Sequence, residues 1–251
     1  MSEAAAPHPD GTPLFLLDEV PDGDVLSVDG AEGRHAVDVL RLAVGERVRV
    51  SDGRGLLVEG SVLAASASTL QVQVLARHDV PAPEPTFVLV QALPKGDHGP
   101  LAVDLATELG VDRIVPWTAS RCVTRWREDR VDRGLAKWRS AARAASKQSR
   151  RPRVPEVTEP MSTREVCGLL ADADLALVLH EQARRPLTEL TIPQSGTVVV
   201  VVGPEGGLTD GEVVAFRAAG ASAVRLGPEV LRTSTAGAAA FAALAARTRW
   251  V

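Results

Sequence analysis

The sequence predicts an α/β protein in two parts, a small N-terminal β-barrel followed by an α/β domain with a mostly parallel sheet. Three observations predict it. Up to about residue 78, short alternating apolar runs are separated by Gly, Asp and Ser turns. The segment DVPAPEPT (residues 79–86) then places three prolines in eight residues, as a domain boundary does. Beyond it, continuous apolar strands alternate with helical segments, the rhythm of a sheet covered on both faces.

In the first part, LFLL, VLSV, RVRVSDG, LLVEGSVL and LQVQVLA read as strands. EGRHAVDVLRL (residues 32–42) reads as a helical insert, with Ala36, Val39, Leu40 and Ala43 at helical spacing. Strands closely spaced around one helix suggest a small barrel. In the second part, FVLVQAL (87–93), IVPW, LALVLHE (175–181), TVVVVVG (197–203) and AVRLG (223–227) read as strands. Helices are expected over 101–109, stopped by Gly110, and over a basic stretch from 130 to 148 with Leu135, Trp138 and Ala142 on one face. Thr209 and Glu212 form a capping-box pair opening a helix that ends near Gly220. The Ala-rich stretch 235–248 reads as a closing helix. The expected division is a disordered start over 1–13, a barrel domain over 14–80 and an α/β domain over 86–251.

The 251 residues are 45% hydrophobic and 24% charged, an ordinary globular composition. Two cysteines, Cys122 and Cys167, make neither a disulfide framework nor a zinc constellation, so a reducing cytoplasm is expected and no metal. No apolar run approaches the roughly 18 residues that span a bilayer, so no membrane role is expected. The acidic, proline-containing first residues do not read as a signal peptide. Net charge is −4, which by itself argues against nucleic acid, but its distribution does not. Residues 121–153 hold twelve Lys or Arg and three Asp or Glu, a balance of +9, against 16 basic and 29 acidic residues elsewhere, −13. Such a stretch fits either a polyanion site or a solvated helix face.

Two glycine-containing loops follow strands of the second part, where open α/β sheets bind ligands. They are GPEGGL (203–208) and LGPEVLRTSTA (226–236). Neither has the Lys and Ser/Thr of a phosphate-cradling P-loop, and neither fits the dinucleotide fingerprint. Glu205 inside the first loop disfavours an anion and suits a neutral or cationic ligand. Tight strand-to-helix turns are the plain structural alternative for both.

LVLHE, VVVVVGPEGGLTDGE and RLGPEVLRTSTAGAAA, in this order and spacing, resemble the signature series of the SPOUT methyltransferases. The resemblance is nearest to the RsmE family, the 16S ribosomal RNA uridine N3-methyltransferases. QALPKGD (91–97), ATELGVDRIVPWTASRCV (106–123), KWRSAARAASKQSRRPRVPEV (137–157) and RHAVDVLRLAVGERVRVSDGRG (34–55) extend it over nearly the whole chain from about Leu14. Two departures stand out. GPLAVDLATELG carries Pro100 and Asp104 where the family often has a basic residue, and Leu14 stands beside Phe15 where it usually has Arg.

The resemblance implies a PUA-like β-barrel that binds RNA, a C-terminal SPOUT α/β domain with a trefoil knot, and a homodimer. It implies S-adenosyl-L-methionine as cofactor, and 16S ribosomal RNA or the small ribosomal subunit as partner. Its cofactor loops carry over to Leu179, His180, Glu181, Gly203, Pro204, Glu205, Gly206, Gly207, Leu226, Gly227, Leu231, Arg232, Thr233, Thr235 and Ala236. The proton on uridine N3 must leave before N3 attacks a methyl group, so the protein must assist deprotonation or stabilise the anion over O2 and O4. Arg232 is the expected stabiliser, because Arg pairs bidentately with oxygen acceptors; a surface ion pair is its bland alternative. Glu205 is expected either as a base or, preferably, facing the positive charge of the cofactor. RNA contacts are expected at Arg34, His35 and Arg41 in the barrel and at Arg121, Arg125, Arg150, Arg151 and Arg153. Ribose 2′-O methylation, a non-catalytic RNA assembly factor, and a small-molecule α/β enzyme with an accidental basic helix are the competing functions.

Overall fold

The computed structural model describes residues 11–126 and 128–250. Most of the start expected to be disordered, residues 1–10, lies outside them. The chain divides into two compact units, Met1–Ala82 with Ser146–Val154, and Pro83–Ala145 with Pro155–Val251.

The first unit is a curled five-stranded mixed sheet, a half-barrel open between its outer strands. Its elements are β1 (Leu14–Leu16), β2 (Val25–Val28), α1 (Gly30–Arg34), β3 (Arg47–Ser51), β4 (Leu56–Ser66) and β5 (Thr69–Asp79), in the sheet order β1-β3-β4-β5-β2. The long β4–β5 hairpin is interrupted by register shifts at Glu59/Gly60 and Val62/Ala64, and such bulges bend a sheet. Its inner face buries Phe15, Leu26, Val28, Val48, Val50, Val58, Val62, Leu70 and Val72. Residues 146–154 add to this unit. Lys147 pairs with Glu32 at 2.8 Å, Ser51 Oγ donates to the Pro152 carbonyl, and Arg153 donates to the Val80 carbonyl at 2.7 Å.

The helix expected over 32–42 is shorter and differently wound. α1 ends at Arg34 and a π-helical turn covers His35–Val39, closed by the Leu40 amide on the His35 carbonyl. Ala36 is buried, but Val39 and Leu40 stand 66% and 40% exposed. The wider turn shifts the phase of the side chains, so positions that share a face at 3.6 residues per turn separate here.

The second unit is a six-stranded, all-parallel sheet with helices on both faces. Its elements run β6 (Thr86–Ala92), α2 (His98–Glu108), β7 (Arg113–Trp117), α3 (Glu128–Gln148), β8 (Glu156–Val157), α4 (Thr163–Ala171), β9 (Leu175–Leu179), β10 (Thr197–Val202), α5 (Asp210–Ala218), β11 (Ser222–Val224) and α6 (Thr233–Ala245). The sheet order is β11-β9-β10-β6-β7-β8. Strands β6 and β10 are buried on both faces, as their unbroken apolar sequences require. The sequence reading missed β8, α4 and a short 3-10 helix over Leu187–Glu189. Helix α4 opens with a Ser162/Glu165 capping box, a signal that was present and unused.

Helix α6 lies along β6 in a matched ladder. Phe241 meets Phe87 with ring centroids 5.3 Å apart. One turn nearer the helix start, a methyl group on Gly237 would stand 3.1 Å from Leu89 Cδ1 and 3.5 Å from Val202 Cγ2, a tight fit that Leu89 would have to yield to. One turn further, Gln91 Nε2 donates to Thr233 Oγ1 at 3.0 Å. Four helical residues rise about 6 Å and two strand residues about 6.6 Å, so the rungs stay in step over both elements. At the far end the Arg249 guanidinium lies 3.9 Å over the Phe87 ring, donates to the Gly110 carbonyl and pairs with Asp112. Phe241 is fully buried. Phe241→Ala is therefore expected to cost about 3–5 kcal/mol, read from urea unfolding; a loss under 1 kcal/mol would mean that the ladder does not hold the helix.

Candidate active site

The C-terminal ends of β9, β10 and β11 feed three loops into one cavity of about 1160 Å³ in the second unit. This is the end of a parallel sheet at which ligands bind. The cavity is lined by residues 179–183, 202–208, 224–227 and 229–234, with Ala236 and side chains from α5. Of the fifteen residues expected at the cofactor, fourteen line it and Thr235 does not. Arg232 and Glu205 both do.

The GPEGGL loop is held from three sides. Gly207 takes φ +70°, and its amide closes a turn onto the Pro204 carbonyl. Glu205 Oε1 accepts from the Lys95 amide at 3.0 Å, tying the loop to the one after β6. Arg121 donates to the carbonyls of Gly206 and Leu208 at 3.1 and 3.0 Å. The Arg121 guanidinium, expected at RNA phosphates, is thus engaged with this loop. At the base of the loop the Thr233 hydroxyl donates to the Gly203 carbonyl at 2.8 Å while accepting from Gln91. Gln91 is fully buried and its Oε1 has no hydrogen-bond partner among the described residues. Such an orphan costs about 1–3 kcal/mol.

Glu212 anchors the next layer. It is 4% exposed and caps α5 reciprocally with Thr209. Its other oxygen accepts from the Ser120 amide at 2.8 Å, joining the loop after β7 to the start of α5. Burial pushes its pKa up, but the amides of Ser120 and Thr209 and their hydroxyls outweigh burial, and the net shift is downward. Burial pushes the Cys122 thiol up, which disfavours its thiolate.

Arg232 is the N-cap of α6. Arg232 is exposed and lines the cavity, and its guanidinium has no hydrogen-bond or ion-pair partner among the described residues. Reading the sequence missed Arg217, Arg225, Gln182 and His98, which also line the cavity, and took in Glu229 only as part of the 226–236 loop. Arg225 directly precedes that loop, so the signal was at hand. Arg217 enters from one face of α5 and His98 from the first turn of α2, placements only the fold creates.

A model described as an RNA methyltransferase domain matches residues 82–245, and one described as an RNA methyltransferase PUA domain matches residues 28–75. The ribosomal RNA small subunit methyltransferase E of Mycobacterium bovis is 45% identical over 243 residues, 94% of this chain and 93% of that protein. The chain belongs to the ribosomal RNA small subunit methyltransferase E family. The Bacillus subtilis member is 26% identical over 92% of this chain and 93% of its own length. The crystal structure of the Neisseria gonorrhoeae member, bound to S-adenosyl methionine, superposes with a TM-score of 0.82 at 29% identity, over 94% of this chain and 98% of that one.

The remaining residues expected at RNA divide by what their side chains do. In the first unit, Arg153 is committed to the Val80 carbonyl, and its guanidinium packs against Gly55. Arg34 and Arg41 are exposed and His35 half-buried. Arg150 and Arg151 are half-buried after α3. Arg41 and Arg150 hold left-handed backbone conformations at φ +54° and +58°, uncommon for residues other than glycine. Arg125, in the second unit, is exposed. Among the described residues no helix is long and apolar enough to cross a membrane, and no three His, Cys, Asp or Glu are grouped to hold a metal.

The lowered pKa of Glu212 has a consequence for stability. A depressed carboxyl stabilises the fold above its ordinary value of 4.5 and loses that contribution as pH falls through the lower folded value. Glu212→Gln is expected to cost about 1–3 kcal/mol at pH 7 in urea unfolding, with the gap to the parent narrowing below about pH 4.5. A gap that is the same at pH 7 and pH 3.5 would remove the carboxylate from this role.

Proposed function

We propose that this chain transfers the methyl group of S-adenosyl-L-methionine to N3 of a uridine in 16S ribosomal RNA, giving 3-methyluridine. It acts in the cytoplasm as a homodimer, on the free RNA or the small ribosomal subunit, with the trefoil knot its resemblance implies. The observation that carries the reading is the convergence of both signature loops on one cavity.

The lining residues fit such a cofactor. Glu181, Glu205, Asp210 and Glu229 supply acid toward a cation, and residues 203–207 supply backbone with little side-chain bulk. Loop backbone at residues 179–181, 203–207, 226–227 and 231–236 is proposed to hold the adenine, ribose and methionine portions. Bound there, S-adenosylmethionine supplies a methyl group on a positively charged sulfur. Glu205 keeps its Lys95 bond and adds negative charge beside that cation; it acts as an electrostatic partner rather than a base. Arg232 would pair with uracil oxygens as the N3 proton passes to water, stabilising the anion that takes the methyl group and leaves S-adenosylhomocysteine. Arg217 and Arg225 face the RNA at the cavity rim.

The proposed RNA contacts are Arg34, His35, Arg41, Arg125, Arg150 and Arg151. Arg121 and Arg153 serve mainly to brace loops, since their guanidinium groups already donate to carbonyls.

The test is transfer of labelled methyl from S-adenosylmethionine to small-subunit particles lacking base methylation, followed by nucleoside analysis. The expected product is 3-methyluridine, with kcat lowered about 10²–10³-fold in Arg232→Ala. A 2′-O-methyl product would overturn the substrate assignment, and cofactor binding without transfer would favour an assembly factor. Arg41→Gly separates fold from RNA binding. Relief of the left-handed strain should leave Tm unchanged or higher. RNA affinity should fall evenly across sequences, with the slope of log K against log salt smaller by about one. An unchanged slope would take Arg41 off the phosphate path.

A further inference from the structure

We infer that Gln91 is a positioning residue for the cofactor loop and Arg232, acting through the hydroxyl of Thr233. The inference rests on the proposed reading of the cavity as the S-adenosylmethionine site.

Gln91 sits at the C-terminal end of β6 and is fully buried, so no ligand touches it. Its Nε2 donates to Thr233 Oγ1 at 3.0 Å and to the Ala92 carbonyl at 3.1 Å. A hydroxyl has a single proton. Because the amide occupies one of its acceptor positions, the Thr233 proton is free to point at the Gly203 carbonyl, 2.8 Å away. One directed chain therefore links β6, the first residue of α6 and the first residue of the GPEGGL loop. Arg232, the N-cap, immediately precedes Thr233, so the same anchor sets where its Cα stands.

Two features show that this rung is placed for geometry rather than for packing. The rungs below it, Gly237 on Leu89 and Phe241 on Phe87, are apolar, and an apolar residue at 91 would continue them. Instead an amide is buried with its Oε1 unpartnered among the described residues. A core that only needed filling would not hold half of a polar group unsatisfied. What the amide supplies and a hydrocarbon cannot is the donor that orients Thr233.

Gln91→Met keeps the length of the side chain and removes the donor. S-adenosylmethionine affinity measured by calorimetry is expected to weaken about tenfold and kcat to fall, while Tm stays level or rises because the orphaned oxygen is gone. Thr233→Val should weaken binding similarly, and Thr233→Ser, which keeps the hydroxyl, should remain within twofold of the parent. Phe241→Leu loosens the same helix at another rung, so it should lower Tm and leave the affinity within twofold. A parent-like affinity and kcat in folded Gln91→Met would overturn the inference, as would a Phe241→Leu affinity loss matching that of Gln91→Met. If Gln91→Met does not fold, the Thr233→Val and Thr233→Ser pair decides, and equal affinity in the two overturns it. Failure of the parent chain to bind S-adenosylmethionine would instead sink the cofactor reading, which separates the two failures.

Discussion

The register of α6 on β6 is the constraint on which the site depends. A helix packed on a strand can slide unless something fixes its phase, and hydrophobic contact alone is non-directional. Here the phase is fixed twice. Gly237 lets the helix approach Leu89 and Val202 closely, and the Gln91–Thr233 bond adds direction at the ligand end. Arg249, beyond the other end of the helix, engages Phe87, Gly110 and Asp112 and so ties the chain terminus to the start of β6 and the turn before β7. With both ends set, the loop from β11 into α6 has little freedom left.

The other walls are held by bonds that cross between loops. Glu205 receives the Lys95 amide, Arg121 grips two carbonyls of GPEGGL, and Glu212 joins Ser120 to the start of α5. Loops rich in glycine lose much conformational entropy on ordering. Side chains from neighbouring segments offset that loss by binding the Gly203, Gly206 and Leu208 carbonyls. This explains why the loop carries an acid that is wrong for a phosphate site. Glu205 is both a structural acceptor and a negative charge beside the cavity.

Much of this was legible in the sequence. The strands of the second unit are continuous apolar runs, the Thr209–Glu212 cap was readable from spacing, and the two loops carried the family signature. What was not legible has two causes, a local change of helical winding and partners far away in the chain. The π-helical turn at His35–Val39 keeps an apolar spacing that mimics a helix, yet exposes Val39 and Leu40. Arg121 looked like a free cation in a basic stretch until its carbonyl partners, 85 and 87 residues on, were in place. Gln91 read as one polar letter in an apolar strand, and its use appears only with Thr233, 142 residues later.

The ladder also bears on the electrostatics of the proposed reaction. Helix α6 has no side-chain cap at its N-terminus, and Arg232, Thr233 and Ser234 of its first turn line the cavity. The positive end of the helix dipole and the guanidinium of Arg232 thus act from one side. Negative charge spread over uracil O2 and O4 is favoured there. Glu205, Glu181 and Glu229, from the loops after β10, β9 and β11, favour positive charge. A site that held both fields loosely would let each relax toward the other. Fixed backbone partners prevent that relaxation, and preorganised dipoles lower a barrier because they need not reorient as charge moves. The buried amide at Gln91 is therefore consistent with a site whose function demands position more than it demands stability.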